Sequence, residues 1–216
     1  MDKEIKINVS DAIGISESIS ISTESNYLLI SNKEKVAYLL NNSDLNQNDI
    51  IDVFIGLHII LEVGINTLFR QLISPVLKEK IDIHEMVENL DKVNFIDKTI
   101  MFIYYSRFDF KDLDQAGRFH SIISKLRSFS EMRNKLLHGH SISTRSENGV
   151  NTKSRLAKNL NLNKLQEQLL NFRFILEGMG FYLDSLNMGV TDAGKKAYKE
   201  SFLDYSFLPI THFGSE

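Results

Sequence analysis

From Asn46 onward, apolar residues recur at spacings of three and four, which is the period of an α-helix. The first such run is apolar on most sides, begins after Asn46 or Asn48 and ends at Pro75, a residue type that usually terminates a helix. This run is therefore the predicted central helix of a bundle. Further helices are predicted over residues of about 84–106, 114–138, 162–186 and 192–203.

The predicted helix over residues 162–186 has an uninterrupted apolar spacing. Intervals of three and four alternate along Leu162, Leu165, Leu169, Phe172, Leu176, Met179, Leu183 and Leu186. Such a seam packs antiparallel helices against one another or joins two helices in a dimer. The fold class predicted from these elements is all-α, an up-and-down helical bundle of four to five main helices.

Residues 1–30 follow a different pattern. Their segments EIKINV and SISIST alternate apolar and polar residues at period two, which is typical of short strands or of an extended arm. Serine is frequent there, which is typical of partial disorder. We therefore expect an extended or partly disordered N-terminal extension over residues 1–30. One helical domain with a C-terminal tail is expected over residues 31–216.

The segment after the predicted third helix, SISTRSENGVNTKSR, is polar, and its Asn148-Gly149 pair is typical of a hairpin turn. It belongs to a basic stretch, because residues 125–158 hold eight Lys and Arg and only two Glu, whereas the whole chain carries a net charge of −3. Such asymmetry indicates either a nucleic-acid face or a solvated surface whose basic side chains pair with acidic neighbours. Both interpretations stay open on charge alone.

The composition excludes several kinds of site. The chain has no cysteine, so it has no disulfide, no thiol nucleophile and no zinc–thiolate centre. Its first residues, MDKEIK, carry both signs of charge and lack the apolar stretch of a secretory signal. No apolar run approaches the ~18 residues needed to span a bilayer. We therefore expect a cytoplasmic protein that does not enter the membrane.

The predicted third helix places an arginine in register with its apolar face. Phe119, Ile122, Leu126 and Phe129 follow one another at helical spacing, and the next position in the series is Arg133. Because burial of an unpaired guanidinium is costly, Arg133 requires a carboxylate, a phosphate or a solvated cleft in front of it. The alternative is that its long side chain simply reaches the surface.

Polar residues accompany Arg133 within the sequence RNKLLHGH. Asn134 and His138 are four residues apart and share a helix face, and Gly139 is a typical helix terminator. His138 then lies at the negative end of the helix dipole, which favours its protonated form. A cationic histidine beside a fixed guanidinium is a candidate anion site, and its titration near neutrality suits proton transfer. The alternative is a histidine that only caps the helix.

The pattern Arg-Asn-x3-His, here RNKLLHG over residues 133–139, resembles the R-x4-6-H signature of the HEPN superfamily, the higher eukaryotes and prokaryotes nucleotide-binding domains. In that family the signature lies at the end of a long helix in a small helical bundle. The resemblance is closest at the signature and includes the polar residue after the arginine. The predicted helices over residues 46–187 agree with the family more loosely.

The resemblance implies a chemistry. Many HEPN domains are metal-independent endoribonucleases in which the RNA 2′-hydroxyl attacks the adjacent phosphorus. It implies that Arg133 binds the scissile phosphate, that His138 is the general acid–base and that Asn134 orients the histidine or the phosphate. A proton shuttle and fixed donors suffice for this route, so no metal or other cofactor is expected. The family's dimers bring two copies of the motif together, which supplies a separate acid and base.

The first long helix carries a polar stripe in which every fourth residue is polar, at His58, Glu62, Asn66 and Arg70. Glu62 is a candidate supporting residue that pairs with Arg133 or holds His138 in one tautomer. The alternative is a self-contained ladder of contacts exposed along one helix edge. No catalytic role is assigned to His58 or Arg70.

Three residues near the signature are candidate RNA contacts: Lys135, His140 and Arg145. The segment over residues 141–155 is either a mobile flap that touches the RNA backbone or an ordinary surface loop. His138 and His140 have no supporting carboxylate nearby in the sequence, so no metal site is expected. In some HEPN toxins the position of His140 is a tyrosine, and a partner nucleotidyltransferase silences the toxin by modifying it. Because this position is a histidine here, this form of silencing is not expected.

Three functions are compatible with the sequence. The first is a HEPN-type ribonuclease of a toxin–antitoxin or phage-defence system, a homodimer that acts on RNA and has an antitoxin or regulatory protein as a further partner. The second is a HEPN-like module that binds a nucleotide or RNA, or dimerises, without catalysis. The third is a helical adaptor that recruits a partner through the seam over residues 162–186. An ion pair between Arg133 and an acidic residue of its own subunit would favour the adaptor.

Overall fold

The computed structural model describes residues 26–42, 44–77, 89, 92–106, 111–137, 145–146, 149–150, 160–186 and 192–209. For residues 71–77, 135, 137, 145–146 and 149–150 it describes the backbone alone. Residues 1–25, which hold the alternating segments of the predicted extension, lie outside the described residues.

The described part of the chain is helical apart from one short hairpin, which confirms the predicted all-α bundle. Its helices are α1 (26–40), α2 (Gln47–Leu77), α3 (Phe95–Tyr105), α4 (Leu113–Leu137), α5 (Leu162–Ser185) and α6 (Asp192–Tyr198), and a π-helical segment, Lys199–Leu203, continues α6. The strands β1 (Arg145–Ser146) and β2 (Gly149–Val150) pair antiparallel, Arg145 with Val150 and Ser146 with Gly149. The two strands flank residues 147–148, which lie outside the described residues, and Gly149 of the Asn-Gly pair is the first residue of β2.

Polar side chains determine where the helices begin. Asn46 Oδ1 accepts the backbone N–H groups of Asn48 and Asp49, at 2.8 and 3.2 Å, while Asp49 Oδ2 accepts the N–H of Asn46 at 3.0 Å. This reciprocal pair identifies Asn46 as the cap of α2. The first N–H groups of α3, α4 and α5 are accepted in the same way by Asn94, Asp112 and Asn161.

Helix α1 corrects the predicted boundary at residue 30. Residues 26–30 already belong to this helix, and Leu29, Val36 and Leu40 are buried in the core at helical spacing. The period-two alternation of the sequence ends before Asn26, so the pattern and the helix do not overlap. The helical domain therefore includes residues that were predicted to belong to the extension.

Two other predicted helix boundaries are wrong. Helix α2 continues through Pro75 to Leu77. A proline removes only its own N–H from the backbone hydrogen bonds, and in the last turn of a helix this loss leaves the preceding turns intact. Helix α3 begins at Phe95, because Asn94 caps it there, so the predicted helix over residues 84–106 is interrupted at residues 93–94. Before this break residues 89 and 92 are helical, and residues 84–88, 90 and 91 of that prediction lie outside the described residues.

Helix α2 is the central helix of the core, where it contacts α3, α4 and α5. Its buried apolar side chains are Ile50, Val53, Phe54, Leu57, Ile60, Leu61, Ile65, Leu68 and Phe69. The stretch Gln47–Arg70 is also long and apolar enough to cross a membrane by length and composition, contrary to the expectation that no such stretch exists. More than half of this stretch is buried inside the protein, which is the pattern of a core helix.

The regular apolar seam of α5 faces the core. Leu165, Leu169, Phe172, Leu176, Met179, Leu183 and Leu186 are all buried, whereas Leu162, the first residue of the helix, is 49% exposed. A face that the chain's own helices cover is not free to recruit a partner helix. The adaptor hypothesis required this seam to be exposed, so its burial argues against that hypothesis.

Helices α4 and α5 run antiparallel, so the end of α4 lies beside the beginning of α5. The Lys125 ammonium donates to the side-chain oxygen of Asn171, and the Tyr182 hydroxyl donates to the carbonyl oxygen of Gln115 at 3.1 Å. The first contact joins the middle of the two helices, and the second joins the start of α4 to the end of α5. Together they fix the register of α4 and hence the position of its last turn.

The π-helical segment that continues α6 packs on α2 at a glycine. A Cβ atom added at Gly64 would overlap the ring of Phe202, which is buried, so the close contact requires glycine. We predict that Gly64→Ala lowers the free energy of unfolding by about 1–3 kcal/mol, as overpacking of a core does. The matched control is Gly117→Ala in α4, where the added Cβ meets no neighbour within 4 Å. This control should be neutral or stabilise by up to about 1 kcal/mol, the helix propensity of alanine.

Urea unfolding of the two variants and of the wild type measures these differences. Equal stability of Gly64→Ala and Gly117→Ala would contradict the close packing of Phe202 against Gly64 of α2.

Candidate functional site

Helix α4 carries its apolar face up to Arg133. Phe119, Ile122, Leu126 and Phe129 are buried, and Arg133, one turn further, is half-buried. Phe129 stacks on the ring of Phe54 in α2, with the ring centroids 5.3 Å apart, so the turn before Arg133 is packed against the central helix. Arg133 therefore continues the buried face of α4, as the spacing predicts, and Leu136 after it again packs against the core.

No carboxylate among the described residues neutralises the guanidinium of Arg133. Its Nη1 donates a hydrogen bond to Oδ1 of Asn134 at 3.1 Å. In the described part of the chain, no Asp or Glu oxygen lies within 4.0 Å of Arg133. The ion pair within the subunit that would favour an adaptor is thus absent from the described residues. Asn134 is placed to orient the guanidinium.

His58 of α2 is the buried titratable group beside this arginine. Its side chain is 3% exposed, and its Nδ1 lies 3.6 Å from Oε2 of Glu62, one turn along the same helix. The ring meets Phe95 of α3 edge-on, with the centroids 5.2 Å apart. Among the described residues, its Nε2 has no hydrogen-bond partner. His58 therefore lies between α2, α3 and α4 with one nitrogen facing a carboxylate.

Burial lowers the pKa of His58 to about 4, and the positive charge of Arg133 contributes in the same direction. The imidazole is consequently neutral at physiological pH and carries one proton. A carboxylate beside Nδ1 favours that proton on Nδ1, which leaves the unpartnered Nε2 as an acceptor. A neutral histidine of this kind does not donate a proton near neutrality.

The polar stripe of α2 faces other helices and is not an exposed ladder. His58 is buried, and Asn66 Oδ1 accepts a hydrogen bond from Nζ of Lys98 in α3 at 2.8 Å. Lys98 is itself only 3% exposed. The alternative of a self-contained, exposed ladder therefore holds only for the contact between His58 and Glu62, because α3 packs against the stripe at His58 and Asn66. Glu62 contacts His58 and forms no ion pair with Arg133.

Several predicted site residues lie outside what the structure describes. His138 and His140 are outside the described residues, and of Lys135 and Arg145 the backbone alone is described. Helix α4 is described as far as Leu137, and its predicted termination at Gly139 lies outside the described residues. The role of His138 as acid–base stays a prediction, and so do the RNA contacts of the other three residues.

The structure adds His58 to the site, a residue to which the sequence assigned no role. The sequence did indicate that His58 is buried, because a histidine within an apolar run such as FIGLHIILEV is rarely exposed. What the sequence did not show is that this position faces α4 near Arg133. That proximity depends on how α2 and α4 pack, because positions 58 and 133 lie 75 residues apart in the sequence.

Within the described ranges, no group of three or more His, Asp or Glu side chains is placed to hold a metal ion. A scan against protein-family models and searches of the curated proteins and of the solved structures gave no match to this chain. The function therefore has to be argued from the residues around Arg133.

The pKa of His58 predicts how stability depends on pH. The unfolded chain takes up a proton at His58 below about pH 6.5, whereas the folded protein excludes it until about pH 4, so acid favours unfolding in this window. The shift corresponds to about 3 kcal/mol of unfolding free energy. This stabilisation is complete above pH 6.5 and is lost as the pH falls towards 4.

Urea unfolding of the wild type and of His58→Leu between pH 7 and about pH 4.5 tests this dependence. The stability of the wild type relative to the variant should decrease as the pH falls. Two parallel curves would contradict a neutral, buried His58.

Proposed function

We propose that this protein is a metal-independent endoribonuclease of the HEPN type, in which Arg133 binds the scissile phosphate of RNA. The observation that carries the proposal is a half-buried guanidinium that continues the apolar face of α4 and meets no carboxylate among the described residues. A fixed cation of this kind binds a phosphate without first having to break an ion pair. The choice of the HEPN family rests on the R-x4-6-H pattern at residues 133–138.

In this proposal the RNA 2′-oxygen forms a bond to the adjacent phosphorus while the bond from phosphorus to the 5′-oxygen breaks. The products are a 2′,3′-cyclic phosphate and a 5′-hydroxyl end. Arg133 stabilises the charge that develops on the phosphoryl oxygens, and Asn134 holds the guanidinium in orientation through its hydrogen bond. His138 transfers the proton. One histidine cannot accept and donate at the same moment, so a homodimer supplies the second.

The surroundings of the motif fit a polyanionic substrate. The stretch over residues 125–158, with eight basic and two acidic residues, includes Arg133 and the proposed RNA contacts Lys135, His140 and Arg145. The protein would act in the cytoplasm, as a toxin or phage-defence effector restrained by an antitoxin or another regulatory protein. No cofactor takes part in this route.

A second function, RNA or nucleotide binding without catalysis, is favoured by a specific observation. The described residues supply an anion-binding cation, but the described histidine near it has a pKa of about 4 and does not donate a proton near neutrality. Binding requires only Arg133 and its neighbours, whereas cleavage requires His138 as well. Product analysis separates the two functions.

The test is cleavage of varied single-stranded RNAs by the purified protein in excess chelator, with analysis of the product ends. The wild type should leave 2′,3′-cyclic phosphate ends. Arg133→Ala and His138→Ala should each lower the rate by about 10²-fold or more, the usual contribution of a single charge-stabilising donor or proton-transfer group.

The matched control is Arg127→Ala, which removes an exposed arginine from the same helix. Its rate should stay within about threefold of the wild type, as expected for a distant surface charge. RNA binding without cleavage by folded wild type would favour the binding module. Cleavage that survives both Arg133→Ala and His138→Ala would contradict the proposed site.

A further inference from the structure

A groove lies between α1 and the π-helical segment that continues α6. Its volume is about 680 Å³, within the range of pockets that bind small molecules. The described residues that line this groove come from α1, from Thr67 of α2 and from residues 194–207, and none of them belongs to α4. The groove is therefore separate from the proposed RNA site.

Most of the wall of the groove is apolar. Its apolar side chains are Leu29, Ile30, Ala37, Ala197, Tyr198 and Phe207. Ile30 is 55% exposed although it lies beside the buried Leu29 and Tyr198. The small side chains at positions 37 and 197 leave the space between α1 and α6 unfilled. A ligand in the groove would cover apolar surface that now meets solvent.

Lys33 bridges the two walls. Its Nζ donates to the carbonyl oxygens of Ser201 and Asp204, at 2.5 Å each, and lies 5.1 Å from the centroid of the Phe207 ring. These carbonyls belong to the end of the π-helical segment, a rare backbone form that is frequently found at functional sites. Two of the three donors of the ammonium are thus used within the protein, which leaves it little capacity to bind an anionic ligand.

The charged side chains of the groove are mostly acidic. Three carboxylates line it together with the ammonium of Lys33, and they belong to Glu34, Glu200 and Asp204. Glu34 forms no ion pair in the described part of the chain. Glu200 lies 3.8 Å from Nζ of Lys196, but both side chains are largely exposed, and such a pair is weak. Two carboxylates are therefore available to a ligand.

We propose that this groove binds a small organic cation, an amine whose apolar body lies against the apolar wall and whose ammonium is received by Glu34 and Glu200. An apolar wall beside unpaired carboxylates favours a molecule that has both an apolar and a cationic part. An anion would meet three like charges, and a neutral apolar molecule would leave both glutamates without a partner. The site shares no residue with the proposed ribonuclease and does not depend on it.

The experiment measures the affinity of three probes with the same apolar body by calorimetry at low salt and pH 7. The probes are 4-phenylbutylamine, the neutral 4-phenyl-1-butanol and the anionic 4-phenylbutyrate. The wild type should bind the amine about tenfold more tightly than the alcohol, the combined effect of two exposed carboxylates. It should bind the butyrate more weakly than the alcohol.

The double variant Glu34→Gln/Glu200→Gln removes both charges and keeps the size of the side chains. Both glutamates are exposed, so the core is unchanged. The variant should bind the amine and the alcohol within about twofold of each other, and the alcohol as the wild type does. The matched control is Glu131→Gln, an exposed acid of α4 outside the groove, which should leave the affinity for the amine within about twofold of the wild type.

A third variant tests where the apolar body lies. Ala37→Leu places an apolar side chain in the groove and should weaken the amine and the alcohol equally, by about tenfold. If Ala37→Leu does not fold, Ala197→Leu on the opposite wall takes its place with the same expectation.

Equal affinities of the wild type for the amine and the alcohol would overturn the proposal, and so would a preference for the butyrate or no binding of the amine at millimolar concentration. A preference for the amine that survives the double variant would locate the binding elsewhere on the protein and would overturn it as well.

Discussion

The site depends on the cost of burying a guanidinium without an opposite charge. The apolar face of α4 is packed against α2 as far as Phe129, and the next position on that face is Arg133. Helix packing therefore brings a cation to the boundary of the core, where one hydrogen bond to Asn134 fixes it and no described carboxylate neutralises it. In the proposed function an RNA phosphate satisfies this arrangement, since a phosphate is an anion that a basic surface attracts.

Helix α2 combines two roles that usually exclude each other. Its apolar side chains form the centre of the core, while His58, Glu62 and Asn66 form a polar row on the same helix. The row is tolerated because each member meets a group that suits it: the imidazole is neutral, Glu62 faces its Nδ1, and Asn66 accepts from Lys98.

The sequence predicts α4 and α5 to within one residue at each end, because their apolar period is regular and Asp112 and Asn161 cap them. It also predicts that Arg133 continues the buried face. It misses α1, whose apolar residues fall in two clusters, 27–30 and 36–40, on either side of the polar run 31–35, and the passage of α2 through Pro75, which local rules exclude. His58 could not be assigned because its neighbours in α3 and α4 come from distant segments. Such proximity follows only from how the helices pack.

The most direct test of the central claim is to observe the guanidinium of Arg133 while RNA binds. The ¹H–¹⁵N side-chain resonances of the arginines are recorded with and without a short RNA whose 2′-hydroxyls are methylated, and Arg133→Lys identifies the signal. The account predicts that the Arg133 signal shifts on titration and that the signal of exposed Arg127 shifts much less. An Arg133 signal that does not move while the folded protein binds the RNA would contradict a phosphate site at this arginine.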